Sequence, residues 1–568
     1  MNVRAEAAAD ESFEDVGTVA PEPPPPIRDG SRMLLLALGV IVALAVAAPV
    51  LVIVASPLLG GDGTWKHLRE TVLGTYVRNS VLLAGGAGFG AAVIGASTAW
   101  LVTLFSFPGR RVLEWLLLLP LAVPTYLIAY AYTDFLDFAG PVQEWLLAAT
   151  GWGVGEYWFP EIRSLGGAVV LFAVVLYPYV YLLCRASFLE QSVCLLDASR
   201  TLGLSRSQCF RRVGLPLARP AIAGGVALVA MESLADYGAV DYFAVDTFTT
   251  GIYRTWFGLG SRLAAAQLSA VLLAAVVVLL VLERLGRRKR RFFQTGARPR
   301  ELPRWRLVGA RGWGACAVCA FPVLGGFGIP LGILVAGALR AGFLPSLAES
   351  LEWAWHSFAL ASLTAVLAVP LSLLLAYNAR LAPGWLARSA VRAASLGYAI
   401  PGSVVAVGVL LVLGWTDRFL GEGLMGNLLL SGTIGALVFA YLTRFLTLPV
   451  HAVEAGLGRI TPSMDQAGRT LRAGPLGVLR RIHFPLLRAS VLAAGLLVFV
   501  EVLKELPATL IVRPFDFDTL AVRTYQLASD ERFAEASAPA LLIVLTGLLP
   551  VLLLSRMMGA SRRIMERP

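Results

Sequence analysis

The chain has 568 residues, of which 57% are hydrophobic and only 15% charged, and its mean hydropathy is +0.72. A soluble protein this apolar would expose large sticky patches, whereas a membrane protein turns the same residues to lipid, so soluble enzyme, nucleic-acid binder and secreted disulfide scaffold recede together. The net charge of +11 is carried by arginine, 45 Arg against 3 Lys, and most of these residues flank apolar runs, which fits the inner surface of a membrane. Five cysteines, Cys184, Cys194, Cys209, Cys316 and Cys319, are too few and too scattered for a disulfide framework.

Residues 1–32 are rich in Ala, Glu, Asp and Pro, and read as a disordered tail on the cytoplasmic side. From Met33 onward, apolar runs of the length that crosses about 30 Å of hydrocarbon recur near 33–56, 77–105, 112–133, 165–187, 218–240, 264–283, 315–339, 357–378, 391–414, 431–450, 489–511 and 537–555. Arginines set the orientation, because Lys and Arg in short loops stay inside. Arg28 and Arg32 precede the first run, Arg110 and Arg111 follow the second, and the link after the sixth carries Arg287, Arg288, Lys289, Arg290 and Arg291. Both termini are therefore expected inside. The acidic stretch 134–163 is expected outside.

The chain also repeats itself. A shift of 269 places Arg200-Thr201-Leu202 on Arg469-Thr470-Leu471, Arg211-Arg212 on Arg480-Arg481, Pro216-Leu217 on Pro485-Leu486 and Arg219 on Arg488, and pairs Glu232 with Glu501. Earlier in each half the shift is 277, pairing Ser80 with Ser357, Ala99 with Ala376 and Pro124 with Pro401. Six spans per half is an even number, so the two copies share one orientation and are parallel repeats. The expected organisation is a tail at 1–32, a first repeat at 33–285, a basic linker at 286–312, a second repeat at 313–558 and a short tail at 559–568.

Between the fourth and fifth spans lies a polar loop, Leu196 to Ser205 followed by Gln208 to Pro216, which reads as two short helices separated by Gly203. Its spacing, Asp197-Ala198-Ser199, three residues, Gly203, nine residues, Val213, one residue, Leu215-Pro216, resembles the EAA signature of ABC importer permeases. The second copy departs from it, with Gln466, Ala467, Gly468, Arg472, Ile482, Phe484 and Pro485 at the matching positions. The resemblance implies an all-α polytopic membrane protein of the type I importer kind, with about 12 transmembrane helices in two parallel six-helix repeats. It also implies that both loops dock on a cytoplasmic ABC ATPase homodimer. ATP and Mg would bind that partner and no cofactor this chain. Consistently, Lys66, Lys289 and Lys504 follow Trp, Arg and Leu, so no P-loop is encoded; nor is a G-x-S-x-G or H-E-x-x-H motif.

Leu119 to Tyr132, with Tyr126, Tyr130 and Tyr132, and Met231 to Gly258 look like the fused ferric-iron permeases of this superfamily. That likeness implies a bacterial inner-membrane protein, a periplasmic ferric-iron-binding protein as partner, the bilayer as solvent and no nucleic acid. Ferric iron is a hard cation that favours carboxylate and phenolate oxygens. Glu232 and Asp236 lie four apart, on one face of a helix, and Glu501 and Glu505 repeat the arrangement, so that with Tyr237 they form a candidate cation path. Packing or docking at the membrane interface, paired with Arg254, Lys504 or Arg523, is the plainer role for the same acids. Asp241, Asp246, Asp516 and Asp518, in matching external loops, are open to two readings: contacts for a basic rim on the binding protein, or solvated loop charges. Two rival readings stay open: the same machine carrying thiamine, a phosphonate or a polyamine, and a proton-coupled secondary transporter, for which a duplicated docking loop has no use.

Overall fold

The computed structural model describes residues 30–60, 63–153, 156–190, 201, 203, 205–288, 304–381, 384–423, 430–471 and 474–565. Among these residues ten helices are long and apolar enough to cross a membrane, and two bent helix pairs raise the crossings to as many as twelve. Helices are what lipid demands, because every backbone N–H and C=O must find its partner within the segment. In the first half the long helices are Gly30–Ala55, Leu73–Leu104, Leu165–Glu190, Leu215–Ala235 and Arg262–Arg288. In the second half Ala310–Val323 continues through a wide turn into Ile329–Arg340, and Phe343–Leu381, Gly402–Gly423, Phe484–Leu503 and Phe533–Met565 follow.

The third and ninth apolar runs are not single straight helices. Arg110–Ala122 and Thr125–Thr150 meet at 92°, and Trp385–Ala394 is separated from Gly402–Gly423. Both breaks fall at a residue before proline: Val123 (φ −108°, ψ 122°) before Pro124 and Ile400 (φ −91°, ψ 131°) before Pro401. The proline ring drives its predecessor out of the helical region, and these prolines occupy the same place in the repeat. The tenth run bends by 49° between Ile434–Phe445 and Thr447–Leu457. The fifth and eleventh runs stop early, at Ala235 and Leu503, and each is followed by a separate short helix, Gly238–Tyr242 and Pro507–Val512.

The first helix of each half packs on the opposite half. Gly30–Ala55 lies along Trp385–Ala394 and Gly402–Gly423, while Ala310–Val323 and the turn after it lie against Leu73–Leu104, Arg110–Leu116 and Leu165–Glu190. Glycine permits the close approach at both crossings: a Cβ on Gly408 would sit 2.5 Å from the Pro49 carbonyl oxygen, and one on Gly326 would sit 2.6 Å from that of Val174. Pro49 and Gly326 are themselves 277 apart, so the exchange follows the repeat. The end of the linker joins the same contact, since Trp305–Arg306 pairs in parallel with Phe105–Ser106 and Trp305 packs edge-on to Phe105. Side chains such as Phe89, Phe321, Val366 and Leu492 remain exposed on the outer surfaces of these helices. That apolar belt is the face a bilayer covers.

Candidate coupling loops and permeation site

The loop between the fourth and fifth spans begins outside the described residues, and Asp197, Ala198 and Ser199 lie there, as does Arg472 of the second copy. Gly203 has φ +78°, a left-handed conformation that an L side chain rarely adopts, so glycine is required where the loop turns. Leu215 and Pro216 open the fifth span and Pro485 opens the eleventh, each preceded by a wide π-type turn, Phe210–Gly214 and Leu479–His483. Proline has no N–H to give and its ring crowds the carbonyl four residues back, which widens the turn before it.

The second loop is described through most of its length. Helix Pro462–Thr470 turns Gln466 and Ala467 outward, together with Met464, and buries Gly468, and Leu471 just past its end is exposed too. A Cβ on Gly468 would meet both Ile482 and Val478 at 3.0 Å, so a small residue is needed where this helix presses on the next. Asp465 ties the helix to two others. Its Oδ2 accepts from Arg380 Nε at 2.8 Å and its Oδ1 lies 2.5 Å from His483 Nε2. Arg380 also donates to the Leu457 and Ile460 carbonyls at 2.5 and 2.8 Å. Tyr377 packs edge-on to His483 and donates to the Pro475 carbonyl at 2.7 Å. In the first half Trp100 and Gly214 hold the places of Tyr377 and His483, and the indole of Trp100 fills the space a Cβ on Gly214 would need. The polar fastening is thus a property of the second half.

At the seam between the halves the four predicted acids converge, but they are differently occupied. Glu232 lies within the field of Glu501, Lys504, Arg444 and Asp236, with the Tyr179 phenol in hydrogen-bonding reach. Glu501 pairs with Lys504 at 2.8 Å. Asp236 accepts from the Thr125 hydroxyl and, at 2.8 Å, from the Ala239 N–H, while its own carbonyl accepts from Thr249 at 2.6 Å. Glu505 accepts from Ala508 N–H at 3.0 Å and from Arg444 Nη1 at 2.6 Å. Asp236 and Glu505 therefore cap the short helices after the breaks in spans five and eleven, satisfying N–H groups that the interrupted helix leaves open. Arg444 and Lys504 belong to the second half alone, since Val175 and Ala235 stand at their places in the first.

Tyrosines gather beside these acids. Tyr126 and Tyr130 pack at 5.6 Å between ring centroids, Tyr130 and Tyr242 at 4.5 Å, and Tyr237 and Tyr253 at 4.7 Å. Tyr237 Oη and Tyr525 Oη are 3.2 Å apart, joining the two halves, and Tyr525 donates to Asp241 at 2.8 Å. Tyr132 is spent on the Gly325 carbonyl at 2.5 Å. Among the described residues no three His, Cys, Asp or Glu come together as a metal-binding group.

Residues 91–291, which carry the first loop, match the model of the binding-protein-dependent transport system inner membrane component family. That match covers about a third of the chain. The likeness to individual relatives runs much further along it. It is 25% identical to the Fe(3+)-transport system permease protein FbpB 2 of Haemophilus influenzae, over 91% of this chain and 97% of that protein. A ferric transport system permease protein FbpB of Actinobacillus pleuropneumoniae is 23% identical over 86% and 71%. A sulfate transport system permease protein, CysT of Escherichia coli, is 31% identical over only 31% of this chain and 61% of its own length. By these similarities and its membrane-spanning helices, the chain is a multi-pass transport permease subunit and not an enzyme.

Two features of this permease escape a reading of the sequence. Glu114 is fully buried between Arg110 and Arg185, whose side chains are also buried, and Arg110 donates to the Val102 carbonyl at 2.8 Å. The signal was present as a lone acid within an apolar run, but its cationic partners are four and 71 residues away. The aspartates proposed for an outer rim are in part paired within the chain: Asp246 pairs with Arg254, Asp518 with Arg513, and Asp241 accepts from Tyr525.

Proposed function

We propose that this chain is the complete membrane part of an ATP-driven importer for ferric iron, which a periplasmic binding protein delivers to the outer face. The observation that carries this reading is the similarity to ferric transport permeases along nearly the whole length of both halves, so that one polypeptide supplies two copies of the six-span unit. The seam chemistry agrees, because carboxylates and phenols are the oxygen donors a hard trivalent ion prefers. Both termini lie on the cytoplasmic side. There, loops 197–216 and 466–485 each seat one subunit of an ATPase homodimer, and ATP and Mg bind to that partner. The exposed Met464 on helix Pro462–Thr470 and Leu471 just after it suit insertion into a groove on the ATPase.

Nucleotide-driven closure of the ATPase draws the loops together and rocks one half against the other, opening the seam alternately to each side. Glu232 and Glu501 line the cation path, while Asp236 and Glu505 hold the broken helices that shape it. The test is radiolabelled ferric uptake into cells expressing the chain with its ATPase and binding protein. Uptake is expected with the intact ATPase and none with an ATPase whose hydrolysis is blocked. An assembled complex that takes up no iron removes the cargo assignment.

A further inference from the structure

The carboxylates at the seam are largely committed to caps and ion pairs, whereas two phenols beside them are not. Tyr126 and Tyr130 are 4% and 1% exposed, and neither hydroxyl has a hydrogen-bond partner among the described residues. A buried hydroxyl without a partner forfeits the water it left behind, a penalty of about 1–3 kcal/mol that a fold seldom carries twice on adjacent turns without use. Oxygen-bearing side chains lie around both rings, none within hydrogen-bonding distance of either hydroxyl. Tyr126 is in the field of Glu505 and Asp236, and Tyr130 in that of Tyr126, Tyr525, Asp236 and Tyr242.

We infer that Tyr126, Tyr130, Tyr237 and Tyr525, with Asp241, form the oxygen-donor site that takes the ferric ion at the seam; this rests on the reading of iron as the cargo. Three of the phenols and the carboxylate come from the first half and Tyr525 from the second. Because Tyr237 and Tyr525 meet at 3.2 Å across the seam, rocking the halves apart withdraws one donor from the rest. The site is therefore complete only when the seam is closed, which couples release of the ion to movement of the halves. Asp241 accepts from the Tyr525 hydroxyl at 2.8 Å and so holds the second half's phenol against the first half's donors. The faces of Tyr242 and Tyr253 wall the site, and the Arg163 guanidinium lies over the Tyr242 ring.

The experiment is ferric uptake by the assembled transporter carrying Tyr130→Phe or Tyr525→Phe, with thermal melting of each purified variant. Phenylalanine keeps the ring and its packing and removes only the oxygen. A merely structural role predicts that Tyr130→Phe, which deletes a hydroxyl with no partner, melts no lower and transports normally. A ligand role predicts that it melts no lower and loses about tenfold or more in uptake, the scale of a lost charge-assisted contact. Tyr525→Phe is expected to lose as much. Tyr177→Phe, which removes another buried hydroxyl without a partner but away from this cluster, should transport as the wild type does. A smaller loss in Tyr130→Phe, in a complex whose wild-type form takes up iron, overturns the site while leaving the cargo in place. If the wild-type complex takes up no iron, the cargo reading itself has failed.

Discussion

The pair Glu232 and Glu501 shows what single residues do at the seam. They are 269 apart, occupy the same turn of their spans and lie close enough to act on each other's charge, and Glu501 pairs with Lys504 at 2.8 Å. Like charges this close repel, and Lys504 offsets part of that repulsion. Neutralising both as Glu232→Gln with Glu501→Gln is expected to abolish ferric uptake while the complex still assembles; size-exclusion of the complex beside the uptake assay checks both parts, and normal uptake removes these residues from the path. Gly402 illustrates the reverse economy, since a Cβ there would collide with Arg444 and Glu505. The ion pair occupies space left by the absence of a side chain. Periodicity along the sequence predicts Glu232 and Asp236 on one helical face, but the helix ends at Ala235 and Asp236 lies beyond it in extended backbone. That Asp236 would instead hold the Ala239 N–H depended on where the helix breaks.

Among the elements, helix Pro462–Thr470 explains why its motif is degenerate. Gly468 replaces the second alanine of the signature because Val478 and Ile482 press against it at 3.0 Å. The position matching Gly203 is Arg472, which lies outside the described residues, and Asp465 fastens the second helix to Arg380 and His483. Removing that charge as Asp465→Asn takes the anion from between Arg380 and His483, and a charge-assisted contact of this kind contributes about 1.5–3 kcal/mol. The expected outcome is a loosened second loop: ATP hydrolysed per iron imported should rise several-fold, while ATPase binding is retained. Side-by-side measurement of hydrolysis and uptake in proteoliposomes checks this, and an unchanged ratio counts against the fastening. The breaks at Pro124 and Pro401 belong to this scale as well. The prolines are visible in the sequence, but an apolar run of spanning length masks the bend they impose.

For the whole molecule, the exchange of first helices makes the two halves one object. Gly30–Ala55 finds its packing on the second half and Ala310–Val323 on the first, so neither half alone covers its own apolar surface as the fused chain does. Dividing the chain within 289–303 and co-expressing the parts is therefore expected to give a complex that purifies through a tag on either half. Each part expressed singly should be degraded or aggregate. Recovery of a stable, monodisperse first half alone would show that the exchanged contacts contribute little. The rocking motion is constrained by the same exchange, because a helix that lies on the opposite half moves with that half.

The sequence by itself determined the membrane class, the number of apolar runs, the duplication and the position of the polar loops, because these are set by composition and by spacing along one chain. It determined the acids of the seam for the same reason: a charge in an apolar run is conspicuous wherever it lies. The tertiary structure alone decided which of those acids are committed to caps and ion pairs, that Tyr525 of one half meets Tyr237 of the other, and that Arg380, Asp465 and His483 converge. Contacts between residues 85 to 288 positions apart leave no periodic trace. They come into being only when helices that are individually indifferent to one another pack, and packing is fixed by the glycines and prolines that let particular surfaces approach.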